Sequence, residues 1–151
     1  MLTVNPKVEF YRPLAEKYAL FYKVLEPNEI LAIICNESQG DPNATNPSDP
    51  SWGLLGVSTL IAWKFGPFGA QDTSWHADPD KNVRAGAGFL AYLKQEYAAR
   101  FPNYAWVAAY NAGEPKFLHG FVDAPYVQSF LGYLALLDGV KPQDGPATSN
   151  P

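Results

Sequence analysis

Apolar residues recur three and four positions apart along most of this chain, and runs rich in Pro, Gly, Asn and Asp separate the periodic stretches. The spacing is that of one helix face. A first helix is predicted from near Pro13 through LAEKYALFYKV, because the fixed φ of proline suits an initial helical position. EPN ends it, and Pro27 opens a second helix over NEILAIICNES that stops before Gly40 and Pro42. An ordered but irregular loop is expected from Gly40 to Trp52. A short piece at GLLGV follows, then a helix from about Thr59 to Phe65 with Ser58 as its N-cap. Asp78 before Pro79 marks the longest element, expected to reach about Arg100 with Val83, Gly86, Leu90, Leu93 and Tyr97 on one stripe. NYAWVAAYNAG reads as a shorter helix closed by Gly113, and APYVQSFLGYLALLDG as a final one closed by Gly139. The pattern is mainly α. Residues 1–140 are expected to form one domain, and the tail 141–151, which has little to bury, lies outside it.

Composition narrows the function classes. With 151 residues, 47% hydrophobic and 15% aromatic, the chain can fill one core and still line a cleft. A net charge of −4 with scattered Lys and Arg argues against a nucleic-acid partner. No apolar run approaches the about 20 residues that cross a bilayer, and MLTVNPKVEFYRP lacks a signal-peptide core. Work outside the cytoplasm would then need another route. The single cysteine, Cys35 within ILAIIC, excludes an intramolecular disulfide and a cysteine-based zinc site, and reads as a core residue. His76 and His119 lack helical ligand spacing, so no metal and no cofactor is expected.

One residue breaks the apolar pattern. Ile30, Ile33, Ile34 and Glu37 share a helix face, and Ser38 similarly follows Leu31 and Ile34. At a helix C-terminus the unpaired carbonyls disfavour negative charge, and apolar neighbours desolvate a carboxylate, so both effects raise the pKa of Glu37. A carboxylic acid kept partly protonated near neutral pH is what general acid catalysis requires. The plain alternative is a glutamate that reaches water or caps a neighbouring backbone.

Four stretches weigh on that choice: ESQGDPNA from Glu37 to Ala44, WGLLGVS from Trp52 to Ser58, NVRAGAGFL from Asn82 to Leu90 and AYNAGEPKF from Ala109 to Phe117. In this order they resemble the motifs of the lytic transglycosylase domains of the lysozyme superfamily. The resemblance implies a mainly α, lysozyme-like single domain with a small irregular or β segment near a cleft for peptidoglycan glycan strands. It implies that Glu37 is the sole catalytic acid and base. The glutamate would protonate the oxygen between N-acetylmuramic acid and N-acetylglucosamine, then take the proton of the muramoyl C6 hydroxyl as that oxygen closes onto C1. The product would carry a 1,6-anhydro end, and no second nucleophilic carboxylate is needed because the substrate supplies the attacking oxygen.

The same resemblance carries substrate contacts to Ser38 of the ES motif, to Leu55 as an apolar cleft wall and to Tyr110, whose hydroxyl could orient a carboxyl or acetamido group. Asn111 is expected to hold its turn by bonding backbone as well as to lie near substrate. Where the family usually reads Gly-Leu-Met-Gln this chain has Gly53, Leu54, Leu55 and Gly56, so an amide is missing. Asn46 or Ser48 could compensate. Trp52 beside the cleft motif offers a flat face for a sugar, whereas Trp63 and Trp75 read as core. Asp41 and Asp49, each beside a proline, read first as turn formers. Two alternatives stay open: a hydrolytic muramidase of the goose-lysozyme kind, with Asp41 or Asp49 activating water, and a non-catalytic glycan-binding or virion structural protein. The expected setting is a monomer acting on the bacterial wall, bacteriophage-encoded and delivered by a virion, with tail components as partners, or by a holin.

Overall fold

Prolines and short polar side chains set where the helices begin. The computed structural model describes residues 1–139. Its helices are α1 (Pro6–Glu9), α2 (Arg12–Tyr22), α3 (Pro27–Glu37), α4 (Thr59–Phe65), α5 (Pro79–Tyr97), α6 (Ala108–Ala112), α7 (Glu114–Leu118) and α8 (Ala124–Leu137). A 3-10 turn at Ala105–Val107 leads into α6, and β1 (Thr45–Asn46) pairs antiparallel with β2 (Ser51–Trp52). Asn5, Ser58, Asp78 and Asp123 each accept a backbone N–H from the first turn of the helix they precede. Each such cap contributes about 1 kcal/mol. The architecture is the expected mainly α fold with a small β segment.

Helix α3 is the central element. Every residue from Glu29 to Cys35 is buried, so ILAIIC is hydrophobic all round rather than striped. It packs against α2 and α8, while α5 packs against α2 and α4. The stripe expected on α5 is buried throughout, including Gly86 against Leu55. Glu29 is 1% exposed and fully satisfied: Lys94 Nζ donates to both its oxygens at 2.8 and 2.9 Å, Tyr104 at 2.8 Å and the Glu26 amide at 2.7 Å. Removing Lys94 would strand that charge, at a cost of about 3–5 kcal/mol.

Several boundaries differ from the sequence expectation. Helix α1 and helix α7 have no counterpart in it, because four or five residues are too few to show a period. Helix α2 stops at Tyr22, ahead of EPN, because Lys23 takes a left-handed φ of 67°. Helix α5 ends at Tyr97, three residues before Arg100. Tyr104, at φ 63°, delays NYAWVAAYNAG into a 3-10 turn before α6. Trp75 is core, but Trp63 is 59% exposed, since the short α4 turns Ala62 inward instead. The expected tail 141–151 lies outside the described residues. No described helix is long and apolar enough to cross a membrane.

Candidate active site

The site is built where α3 runs out. Ser38 is its C-cap, and the hydroxyl donates to the Leu54 carbonyl at 2.9 Å while accepting the Gly40 N–H at 3.2 Å. This fastens the turn Gly53–Gly56 to the end of the helix. Two other helices hold the same turn. Asn82 of α5, 1% exposed, accepts the Leu55 N–H at 2.9 Å and donates to the Trp52 carbonyl at 2.8 Å. Tyr110 of α6 donates to the Leu55 carbonyl at 2.7 Å.

Gly56 lies at the end of this turn with φ +58°, and a Cβ placed on it would stand 2.2 Å from Glu37 Oε1 and 2.9 Å from Glu37 Cδ. The carboxyl therefore occupies the space that a side chain at position 56 would need. The other oxygen, Oε2, accepts the Tyr126 hydroxyl at 2.6 Å. Tyr126 stands in the first turn of α8, whose start is fixed by Asp123, and Asn111 donates to the same Asp123 carboxylate. Asn36 and Ser129 bond across α3 and α8 beside it, at 2.8 Å. The carboxyl is thus held by a donor whose own helix is pinned at two points.

Glu37 is half-buried, and its pKa is pushed up to about 7. Burial is the main cause; the Tyr126 hydrogen bond opposes it and the charge of Asp49 adds to it. Burial and the neighbouring Glu37 charge also push the phenols of Tyr110 and Tyr126 well above their ordinary value, so both remain donors at neutral pH.

A cleft of about 610 Å³ opens over the carboxyl. Its floor is Glu37, Gly56 and Tyr110, and the β1–β2 hairpin supplies Asn46 and Asp49. Leu60, Ile61 and Lys64 of α4 form one wall, and Tyr92, Asn111 and Glu114 complete the lining. Glu114 is held there by the hydroxyls of Tyr92, at 2.6 Å, and Tyr97.

Of the residues singled out from sequence, Glu37, Asn46, Tyr110 and Asn111 meet in this cleft, whereas Ser38, Ser48, Trp52 and Leu55 do not line it. Ser38 caps α3 and joins it to the Gly53–Gly56 turn, outside the cleft lining. Ser48 is exposed on the hairpin turn, its amide bonded to Asn46 Oδ1 at 3.2 Å. One face of Trp52 is taken by His76, stacked at 4.1 Å and 3°. Leu55 is fully buried beneath the floor. Tyr110 spends its hydroxyl on Leu55, not on a carboxyl, and Asn111 bonds a side chain rather than backbone. Asp41 caps its own turn at Asn43, away from the cleft, so only Asp49 of the loop aspartates faces it. Sequence reasoning missed Tyr126 and the clamping role of Asn82. Asn82 opens the NVRAGAGFL stretch and could have been weighed there; Tyr126 carries no local signal.

Residues 14–120 match the family model described as Transglycosylase SLT domain, and the chain belongs to that family. It is 35% identical over 128 residues to the membrane-bound lytic murein transglycosylase C of Pectobacterium atrosepticum, an alignment covering 78% of this chain and 35% of the relative. Proteins of the same name from Yersinia pestis and Yersinia pseudotuberculosis match with the same identity and coverage. The chain spans about a third of the length of these curated relatives. Among solved structures, an inactive variant of the lytic transglycosylase Slt from Pseudomonas aeruginosa aligns with a TM-score of 0.70 over 91% of this chain and 26% of its own. At 20% identity that likeness concerns the fold.

Proposed function

We propose that this domain cleaves the glycan strands of peptidoglycan as a lytic transglycosylase, with Glu37 as the acid and then the base. The observation that carries this reading is the carboxyl at the floor of the cleft, half-buried, bonded to Tyr126 and poised at a pKa of about 7. Near neutral pH such a group can give up a proton and take one back with little penalty in either direction. In the first step Glu37 protonates the oxygen linking N-acetylmuramic acid to the next sugar, and the C1–O bond breaks. The carboxylate left behind is stabilised by the Tyr126 hydroxyl. It then removes the proton of the C6 hydroxyl of the same muramoyl residue as O6 bonds to C1. One bond forms for the one that breaks, no water is consumed, and Glu37 ends protonated as it began. Membership of the SLT family and the name of the murein transglycosylase relatives support the substrate class.

Mass spectrometry of purified peptidoglycan digested in heavy-oxygen water tests the proposal. The expected products carry unlabelled 1,6-anhydro ends and disappear with Glu37→Gln. Labelled reducing ends in most products would instead assign hydrolysis, with Asp49 the cleft carboxylate to examine first. Wild-type rates from a folded Glu37→Gln protein would remove Glu37 from the chemistry.

A further inference from the structure

The charges around the cleft are lopsided. Asp49 and Glu114 contribute two carboxyl groups to its lining beside Glu37, which starts the proposed reaction protonated, and Lys64 is the one cation there among the described residues. The chain as a whole carries −4. Peptidoglycan is itself anionic: each muramic acid bears at C3 a lactyl group that ends in a carboxylate, or in a stem peptide that carries carboxylates further out. An acidic cleft repels such a substrate unless a positive charge meets it, and an opposed pair at about 4 Å gains about 1 kcal/mol even in water.

Lys64 is free for that task. It is exposed, and among the described residues it makes no hydrogen bond and no ion pair, unlike Lys17 and Lys94, which are committed to Asp80 and Glu29. It lies in the last turn of α4, where its charge also complements the helix carbonyls. Leu60 and Ile61 of the same helix line the cleft beside it, an apolar wall against which a sugar ring can lie.

We infer that Lys64 is a specificity residue that binds a carboxylate borne on the C3 substituent of muramic acid, and so selects muramoyl strands over neutral N-acetylglucosamine chains. The inference rests on the glycan-cleaving reading above. Two sources supply the same chemistry, the lactyl carboxylate of peptide-free strands and the carboxylates of the stem.

The test compares wild type, Lys64→Gln and Lys64→Arg on strands with intact stems, on strands stripped by an amidase, and on an N-acetylglucosamine hexamer. KM and kcat are read for the two strand preparations, and direct binding for all three. Lys64→Gln is expected to raise KM about threefold to fivefold, the worth of one exposed ion pair, with kcat within about twofold. Lys64→Arg should restore KM, about 0.5 M salt should erase the difference, and hexamer binding should not change. A KM effect confined to intact strands assigns the stem carboxylates, and one on stripped strands the lactyl group. A KM that Lys64→Gln leaves unchanged on both strand preparations, or hexamer binding that weakens in parallel, would overturn the inference. If wild type releases no anhydro ends, the proposed reaction fails, and the binding comparison alone still decides the role of Lys64.

Discussion

Gly56→Gln restores the amide that the family resemblance expects at this point, and the structure predicts that it damages the proposed activity. Its Cβ would lie 2.2 Å from Glu37 Oε1 and 3.3 Å from Glu37 Cβ, on a backbone at φ +58°. The left-handed backbone alone costs a side chain about 1–2 kcal/mol. The carboxyl is the free end of a flexible side chain and can swing aside, which adds only about 0.5–1.5 kcal/mol of rotamer strain. Stability should therefore fall by about 2 kcal/mol, a drop in Tm of about 5 °C for a domain of this size. Catalysis should suffer far more. Restoring ordinary contact displaces the carboxyl by about 1 Å and breaks the 2.6 Å bond from Tyr126, and misplacement on that scale costs about a hundredfold in rate. Gly56→Ala carries the same Cβ without the amide and should lose kcat equally. Thermal melting and anhydro-end release, measured on both variants, give the two numbers. A Gly56→Ala protein that keeps kcat within about threefold of wild type would refute the argument, since no collision with the working carboxyl could then exist.

The raised pKa of Glu37 also bears on stability. A carboxyl at about 7 in the folded state holds its proton more tightly than in the unfolded chain, so stability falls as pH rises from about 4.5 to 7. Glu37→Gln escapes that loss and should match wild type in stability at pH 4 but exceed it by about 1–3 kcal/mol at pH 8; equal denaturant midpoints at both would contradict the assignment. The high-pH limb of kcat/KM should fall near the Glu37 pKa of about 7, where the acid form is lost. Tyr126→Phe removes a donor to the charged form and should move that limb upward, whereas Asp49→Asn removes a repelling charge and should move it downward; shifts of the same sign would show that the causes are misassigned. Asn82→Ala leaves the Leu55 amide without a partner and takes one of two donors from the Trp52 carbonyl, which keeps the Val57 N–H, and should cost about 1–3 kcal/mol in denaturant unfolding, with a loss below about 0.5 kcal/mol counting against its role as a clamp.

Elements that announce themselves by chemistry at their ends are legible in the sequence alone. Pro27, Ser58 and Asp78 mark starts that α3, α4 and α5 keep to within a residue. The glutamate on the apolar run is legible for a similar reason, since periodicity makes its charge conspicuous. What escapes is what depends on docking. Tyr126 meets Glu37 only because α8 packs on α3, 89 residues away in sequence. Ser38 and Tyr110 stand out in their motifs, but the partners of their hydroxyls do not, because backbone carbonyls at Leu54 and Leu55 look like any others in a sequence. Gly56 reads as a missing amide. Its real meaning, space for a carboxyl, is a distance between two segments and leaves no trace in either alone.

The Leu55 peptide has a consequence for how the molecule opens. This residue belongs to no helix or strand, yet its N–H and C=O are taken by Asn82 and Tyr110, side chains 27 and 55 positions further on. Exchange of that amide with solvent requires Asn82 to let go, and Asn82 cannot do so while α5 remains packed. Leu55 should therefore exchange as slowly as Ile33 in the middle of α3, although loops ordinarily exchange by local fluctuation at far lower cost. The floor of the cleft then has no opening of its own. Activity and ellipticity should vanish at one denaturant concentration, so that a chain of this family member is either competent or unfolded, with no population of intact but slackened sites between.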